Sequence, residues 1–236
     1  MRHRLKRTRQ GYPMKTFIFA HTTMNRAIVA YRFENTGPET LILGGVHGNE
    51  SEGVTLALAI LDRALQTFDL KLNLTVVPML NLDGVLAGTR LNGRGVDLNR
   101  NLPTRDWTTE LLNPRYPPGP HAASEPENQA LIHWLDLHPP QMIFSLHSWN
   151  PVLNVNGDCL AEAETLHRWL GYPITREIGY STPGCLGTYC GLERNMPTLT
   201  YEVERGLPAS QIVRIHTPAL WEALKISEGR LGQRGN

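Results

Sequence analysis

The chain has 236 residues, 41% apolar and 19% charged, values ordinary for a folded globular protein and sufficient for one α/β domain with its own core. Its formal charge of +1 hides an asymmetry, because Arg2, Arg4, Lys6, Arg7 and Arg9 supply five of the 23 basic residues. Without them 18 basic residues face 22 acidic ones, a net of −4, so the body is mildly acidic.

Residues 1–13 contain no acid and are expected to be a basic, disordered extension before a catalytic domain over 14–236. No apolar run of signal length follows the positive stretch, and no run is long enough to span a bilayer. Cys159, Cys185 and Cys190 form an odd, sparse set without CxxC spacing, which gives no disulfide framework. The expected compartment is the cytosol.

Short β-rich runs occur at 16–20 (TFIFA), 27–33 (AIVAYRF) and 40–46 (TLILGGV). The third is apolar throughout, as a strand covered on both faces should be. Val54, Leu58, Leu61 and Leu65 recur at helical spacing through 52–68, after an acidic start at Glu50 and Glu52 that suits the helix dipole. A buried strand follows at 74–80. Residues 81–101, NLDGVLAGTRLNGRGVDLNRN, hold so many Gly and Asn that they are expected to be a loop, which continues through the five prolines of 102–123.

Ser124 is expected to cap a helix ending at Pro139 and Pro140, with Glu127 as its capping-box partner. A strand is expected at 141–147, a helix at 161–170, a short Gly-rich helix at 183–193, a strand at 196–203 and a last helix at 208–227. Strands and helices alternate without internal repeat. This implies a single α/β domain, a mixed, mostly parallel twisted sheet with helices on both faces.

In such folds ligands bind beyond the carboxyl ends of the strands. His47 lies at that end of one predicted strand, His147 at that end of another, and Glu202 near that end of a third. His47 and Glu50, three apart on a turn entering a helix, can point at one metal ion, and a second His from a remote strand completes a His, Glu, His set. Three protein ligands and an open position are the arrangement of catalytic zinc, whereas structural zinc takes four ligands rich in cysteine. Taken singly, each piece has a plainer reading. HxxE arises by chance, His147 suits a strand end, and Glu204 lies on the same strand face as Glu202 and rivals it for any role. His3, His21, His121, His133, His138, His167 and His216 show no ligand spacing. The loop between the halves of the site carries Arg90, Arg94, Asn99 and Arg100, and guanidinium forks suit bidentate carboxylate binding.

The ordered set HGNE, RLNGRGVDLNRN, SEPE, SLH, GYSTPG and TLTYE, between residues 47 and 202, resembles the M14 zinc carboxypeptidases. GVDLNRN, SEPE and GYSTPGCLGTYCGL are most similar to the bacterial murein peptide amidases of that class. These cytosolic enzymes cut the γ-D-glutamyl to meso-diaminopimelate bond of recycled cell-wall peptides. The resemblance implies one zinc ion per chain, held by His47, Glu50 and His147, with Glu202 as general base. It implies that Arg90 polarises the scissile carbonyl, that Asn99 and Arg100 hold the terminal carboxylate, and that Tyr180 closes over the substrate. Glu125 and Glu127 match a segment taken as structural.

The implied partner is a small murein peptide, with no nucleic-acid or membrane partner. Aspartoacylase-like and succinylglutamate desuccinylase-like hydrolases share HGNE and a DLNR stretch and form the alternative, against which SEPE and GYSTPG stand. A noncatalytic muropeptide binder is the other alternative; binding alone needs no base at Glu202.

Overall fold

A computed structural model describes residues 4–7 and 13–232. Among the described residues nine strands form one sheet in the order β1-β2-β3-β5-β4-β6-β9-β7-β8. They are β1 (Arg4–Arg7), β2 (Pro13–His21), β3 (Ala27–Phe33), β4 (Glu39–Gly44), β5 (Asn73–Val77), β6 (Met142–Trp149), β7 (Val152–Asn156), β8 (Ile174–Thr175) and β9 (Thr198–Glu204). The middle four, β5, β4, β6 and β9, run parallel. Antiparallel pairs attach β3, β2 and β1 on one side and β7 on the other. Arg4–Arg7, inside the basic stretch expected to be disordered, pair in register with β2 from Arg4 against Thr16 to Arg7 against Pro13; the rest of residues 1–12 lies outside the described residues.

Helices cover both faces, and the alternation along each strand decides which side chain meets which layer. Ile42, Phe144, Leu146, Leu199, Tyr201 and Val203 join the core under α1 (Ser51–Gln66), α4 (Leu160–Leu170) and α6 (Thr217–Gly232). Leu41, Leu43 and Ile143 face the other way, toward Leu131 and Leu135 of α3 (Pro126–Leu137). On that second face, toward the carboxyl ends of β6 and β9, the apolar set gives way to Ser145, His147, Thr200 and Glu202. The functional surface therefore begins where the second core stops.

Several sequence expectations change. Residues 82–87, expected in a loop, form α2 (Leu82–Ala87), because the Asn81 side chain accepts from Gly84 N and Gly88 ends the turn at φ +65°. No capping box forms at α3: Glu125 is the N-cap, Pro126 takes the first turn, and Glu127 is buried against the loop. The predicted helix at 183–193 narrows to a π-helical segment, Gly187–Leu192. The last helix divides into α5 (Ala209–Gln211), a π-turn at Ile212–His216, and α6. Strand β7 escaped the sequence reading. Its alternation sends Leu153 and Val155 to the core while Asn154 and Asn156 take the polar face.

Candidate metal centre

His47, Glu50 and His147 come from three elements that meet at one edge. His47 follows β4, Glu50 is the N-cap of α1, and His147 sits near the end of β6. Two glycines let them converge. A Cβ at Gly48 would stand 1.9 Å from the Gly84 carbonyl carbon, and one at Gly53 would stand 2.5 Å from the Leu146 carbonyl oxygen. The turn carrying His47 is thereby pressed onto α2, and the first turn of α1 onto β6.

All three side chains are buried. His47 Nδ1 is 2.9 Å from Glu50 Oε1, His147 Nδ1 is 2.8 Å from Glu50 Oε2, and the two Nδ1 atoms are 3.1 Å apart. Each imidazole is held from behind. Asp97 Oδ1 faces His47 Nε2 at 3.1 Å, and Ser145 Oγ faces His147 Nε2 at 3.0 Å. A carboxylate behind His47 favours a proton on Nε2 and turns the Nδ1 lone pair toward Glu50, where acceptor meets acceptor. Such a cluster needs a proton or a cation at its centre. In the metal-free protein His47 takes up the proton more readily than usual: burial opposes this, but Glu50 and Asp97 outweigh it. Burial likewise works against the charge on Glu50, yet His47 and His147 hold its carboxyl well below the usual range. Two imidazole nitrogens and a carboxylate, backed by a second carboxylate on one ring, are a donor set that suits zinc.

Glu202 stands directly across from His147 in the β6–β9 register. Its Oε2 is buried without a hydrogen-bond partner, and burial raises its carboxyl to about 7, with His147 pulling down and Glu50 pushing up. Glu204, the rival on the same face, is exposed at the strand end and does not line the cavity. The cavity has a volume of about 1050 Å³ and is lined by His47, Glu50, Arg90, Asn99, Arg100, Tyr180 and Glu202 among others. His47, Glu50, Arg90, Asn99, Arg100, Tyr180 and Glu202 thus lie at this one place, with His147 against Glu50. Arg94, the other guanidinium of the loop, is exposed beside Glu125 at 3.9 Å and stays outside.

The loop that carries Arg90, Asn99 and Arg100 has few regular hydrogen bonds, so buried side chains hold it. Asn92 Nδ2 donates to Glu125 Oε2 at 2.7 Å and Glu127 Oε2 at 3.4 Å, while its Oδ1 accepts from the Arg94 and Val96 amides. The Asn128 side chain donates to Leu98 O, and Asn101 to Pro118 O and His121 O. The acids of SEPE are therefore fasteners for the loop.

Three participants went unassigned in the sequence. Asp97, fully buried two residues before Asn99, also accepts from Arg90 Nε at 2.8 Å and from the Asn99 amide at 2.9 Å. Tyr116 from the Pro-rich loop lies under the Arg90 and Arg100 guanidinium groups at 4.7 and 5.1 Å and stacks on Tyr180 at 6.4 Å. Arg205 reaches within 3.6 Å of Glu50 Oε1. Asp97 opens the DLNR stretch. Nothing local marks Tyr116 or Arg205.

The sequence profile of the zinc carboxypeptidase family matches residues 2–204, a span that includes most of the basic start. The chain is 34% identical over 179 residues to murein peptide amidase A of Vibrio campbellii, covering 69% of this chain and 68% of that protein. It is 30% identical over 212 residues to murein peptide amidase A of Escherichia coli K12, covering 82% and 83%. The crystal structure of the murein-tripeptide amidase from Escherichia coli O157 superposes with a TM-score of 0.76 at 26% identity, over 94% of this chain and 97% of that one. Bovine thrombin-activatable fibrinolysis inhibitor, at 17% identity and a TM-score of 0.74, shares the fold over 91% of this chain and 89% of its own. With this profile match, these relatives and this donor cluster, the chain belongs to the zinc carboxypeptidase family and is a hydrolase of that family.

Proposed function

We propose that the chain is a cytoplasmic zinc amidase that cuts an amide bond beside a free carboxylate, its substrate being the γ-D-glutamyl to meso-diaminopimelate bond of murein peptides. The observation that carries the reading is the His47, Glu50, His147 cluster beside the unpartnered carboxylate oxygen of Glu202. Binding alone has no use for a proton acceptor there. The names of the Vibrio and Escherichia relatives support the murein substrate. An N-alpha-acetyl-L-2,4-diaminobutyric acid deacetylase of Halomonas elongata is 41% identical, but over only 68 residues, or 28% of this chain.

His47, Glu50 and His147 would hold a zinc ion, with Asp97 and Ser145 fixing the two rings from behind. Zinc bound there would supply Lewis-acid chemistry. Glu202, whose buried carboxyl oxygen favours proton uptake, takes the proton of the attacking water and returns it to the leaving amine. Arg90 gives its Nε–H to Asp97 and one Nη1–H to Glu50, which leaves three of its five N–H groups for the carbonyl oxygen as charge develops. Arg100, buried on Tyr116 and bonded through Nη1 to Asn99 O, takes the terminal carboxylate with Asn99. Tyr180, half exposed between Tyr116 and Trp149, closes over the substrate and excludes water.

The test is mass-spectrometric: zinc-loaded protein is incubated with L-Ala-γ-D-Glu-meso-diaminopimelate, N-acetylaspartate and succinylglutamate. Release of diaminopimelate alone is expected, and comparable turnover of either small acyl amino acid overturns the substrate reading. Glu202→Gln should abolish release while ligand affinity persists; unchanged turnover would assign the base elsewhere.

A further inference from the structure

The cavity has more guanidinium groups than the proposed reaction uses. Arg90, Arg100, Arg115, Arg176 and Arg205 line it, against the carboxylates of Glu50, Glu177 and Glu202. Glu50 and Glu202 belong to the metal and the water, and a peptide with a single terminal carboxylate occupies Arg100. Arg205 remains beside the metal cluster. It is not a loose surface residue, because its turn is fastened at two points. The Arg205 amide donates to Trp149 O at 3.0 Å, and the Gly206 amide, at φ +89°, donates to Glu52 Oε1 at 2.7 Å. The other oxygen of the buried Glu52 accepts from Ser148 Oγ at 2.7 Å. Glu52 thus spends both oxygens fixing the strand-end turn of β9 to the residue after His147.

That anchorage sets the Arg205 guanidinium 3.6 Å from Glu50 Oε1 with its side chain nearly half open to the cavity. Arg100 rests on Tyr116 of the Pro-rich loop, whereas the turn of Arg205 is held from the start of α1. We propose that Arg205 is a specificity residue that binds a second carboxylate of the substrate, carried by the residue on the acyl side of the cleaved bond. The preferred substrate class is then a peptide bearing acid groups on both sides of that bond. A γ-linked glutamyl residue has such a group in its free α-carboxylate, and the choice of probe peptide rests on the amidase reading above.

The test compares L-Ala-γ-D-Glu-meso-diaminopimelate with the same peptide amidated at the glutamyl α-carboxylate. Both are titrated calorimetrically into zinc-loaded Glu202→Gln protein, in which turnover is blocked. The acid should bind roughly 10- to 100-fold more tightly than the amide, the range for a hydrogen-bonded charge pair. Adding Arg205→Ala should bring the two within about threefold, on the scale of ordinary context variation in such contacts, at unchanged zinc content. No preference for the acid before the Arg205 change, a preference that survives it, or equal weakening of both peptides overturns the proposal; equal weakening would make Arg205 a support for Glu50. The reaction reading is judged separately, by diaminopimelate release from the unsubstituted holoenzyme, so either can fail while the other stands.

Discussion

Replacing Asp97 with Asn tests how much of the metal site is built behind the ligands. The side chain is fully buried, so Asn keeps its shape and space while removing the charge. With its oxygen toward His47 Nε2 and the Asn99 amide, Asn places its NH2 against Arg90 Nε–H, donor against donor, where Asp97 Oδ2 had accepted at 2.8 Å. Loss of that charged hydrogen bond costs about 1.5–3 kcal/mol. A less basic His47 should weaken zinc by about 10- to 100-fold, or ~1.4–2.7 kcal/mol at 1.36 kcal/mol per decade. Chelator competition measures the zinc Kd, and a circular dichroism melt shows that the variant is folded. A folded Asp97→Asn protein whose zinc Kd stays within about twofold of the unsubstituted value would refute the reasoning, since the expected minimum effect is about tenfold.

Other outcomes follow from the same geometry. Burial of its carboxyl pushes the pKa of Glu202 up to about 7. A bound dication favours the carboxylate, so the acid limb of the kcat/KM profile should lie below pH 7; a limb at or above 7 contradicts this. His216, buried with its Nδ1 against the Tyr201 hydroxyl, has its pKa pushed down to about 4 by burial. The unfolded chain then binds the proton first, so stability rises with pH between about 4 and 6.5 and is lost on acidification, by about 3 kcal/mol from this group. Urea unfolding at pH 7 and 4.5 should show a smaller loss in His216→Asn than in the unsubstituted protein; equal losses count against it. Gly48→Ala places a methyl group inside the Gly84 backbone and should destabilise by about 3 kcal/mol, read as a lower urea midpoint.

The alternation of apolar strands and amphipathic helices carried the α/β class, and the spacing of His47, Glu50, His147 and Glu202 marked the edge where they meet. Both are local or periodic signals, legible because a strand buried on two faces must be apolar and a site at its end must break that rule. Short-range chemistry overruled composition at α2, where one Asn side chain and one left-handed glycine made a helix of a Gly-rich stretch. Strand β7 was hidden because its polar half, Asn154 and Asn156, belongs to the cavity and not to solvent.

What the tertiary structure alone decided is the company each group keeps. Glu202 and Glu204 share a strand face, and only the position of the cavity leaves one oxygen of Glu202 buried and unpartnered while Glu204 meets water. Tyr116 reaches Arg90 and Arg100 from a proline-rich loop whose path no period specifies, and Glu52 holds the turn at Arg205 through the Gly206 amide, 154 positions away in sequence. The sequence by itself named the donors, because ligand chemistry is a property of side-chain type. Their charge states and neighbours depend on burial and distance, which exist only once the chain is folded.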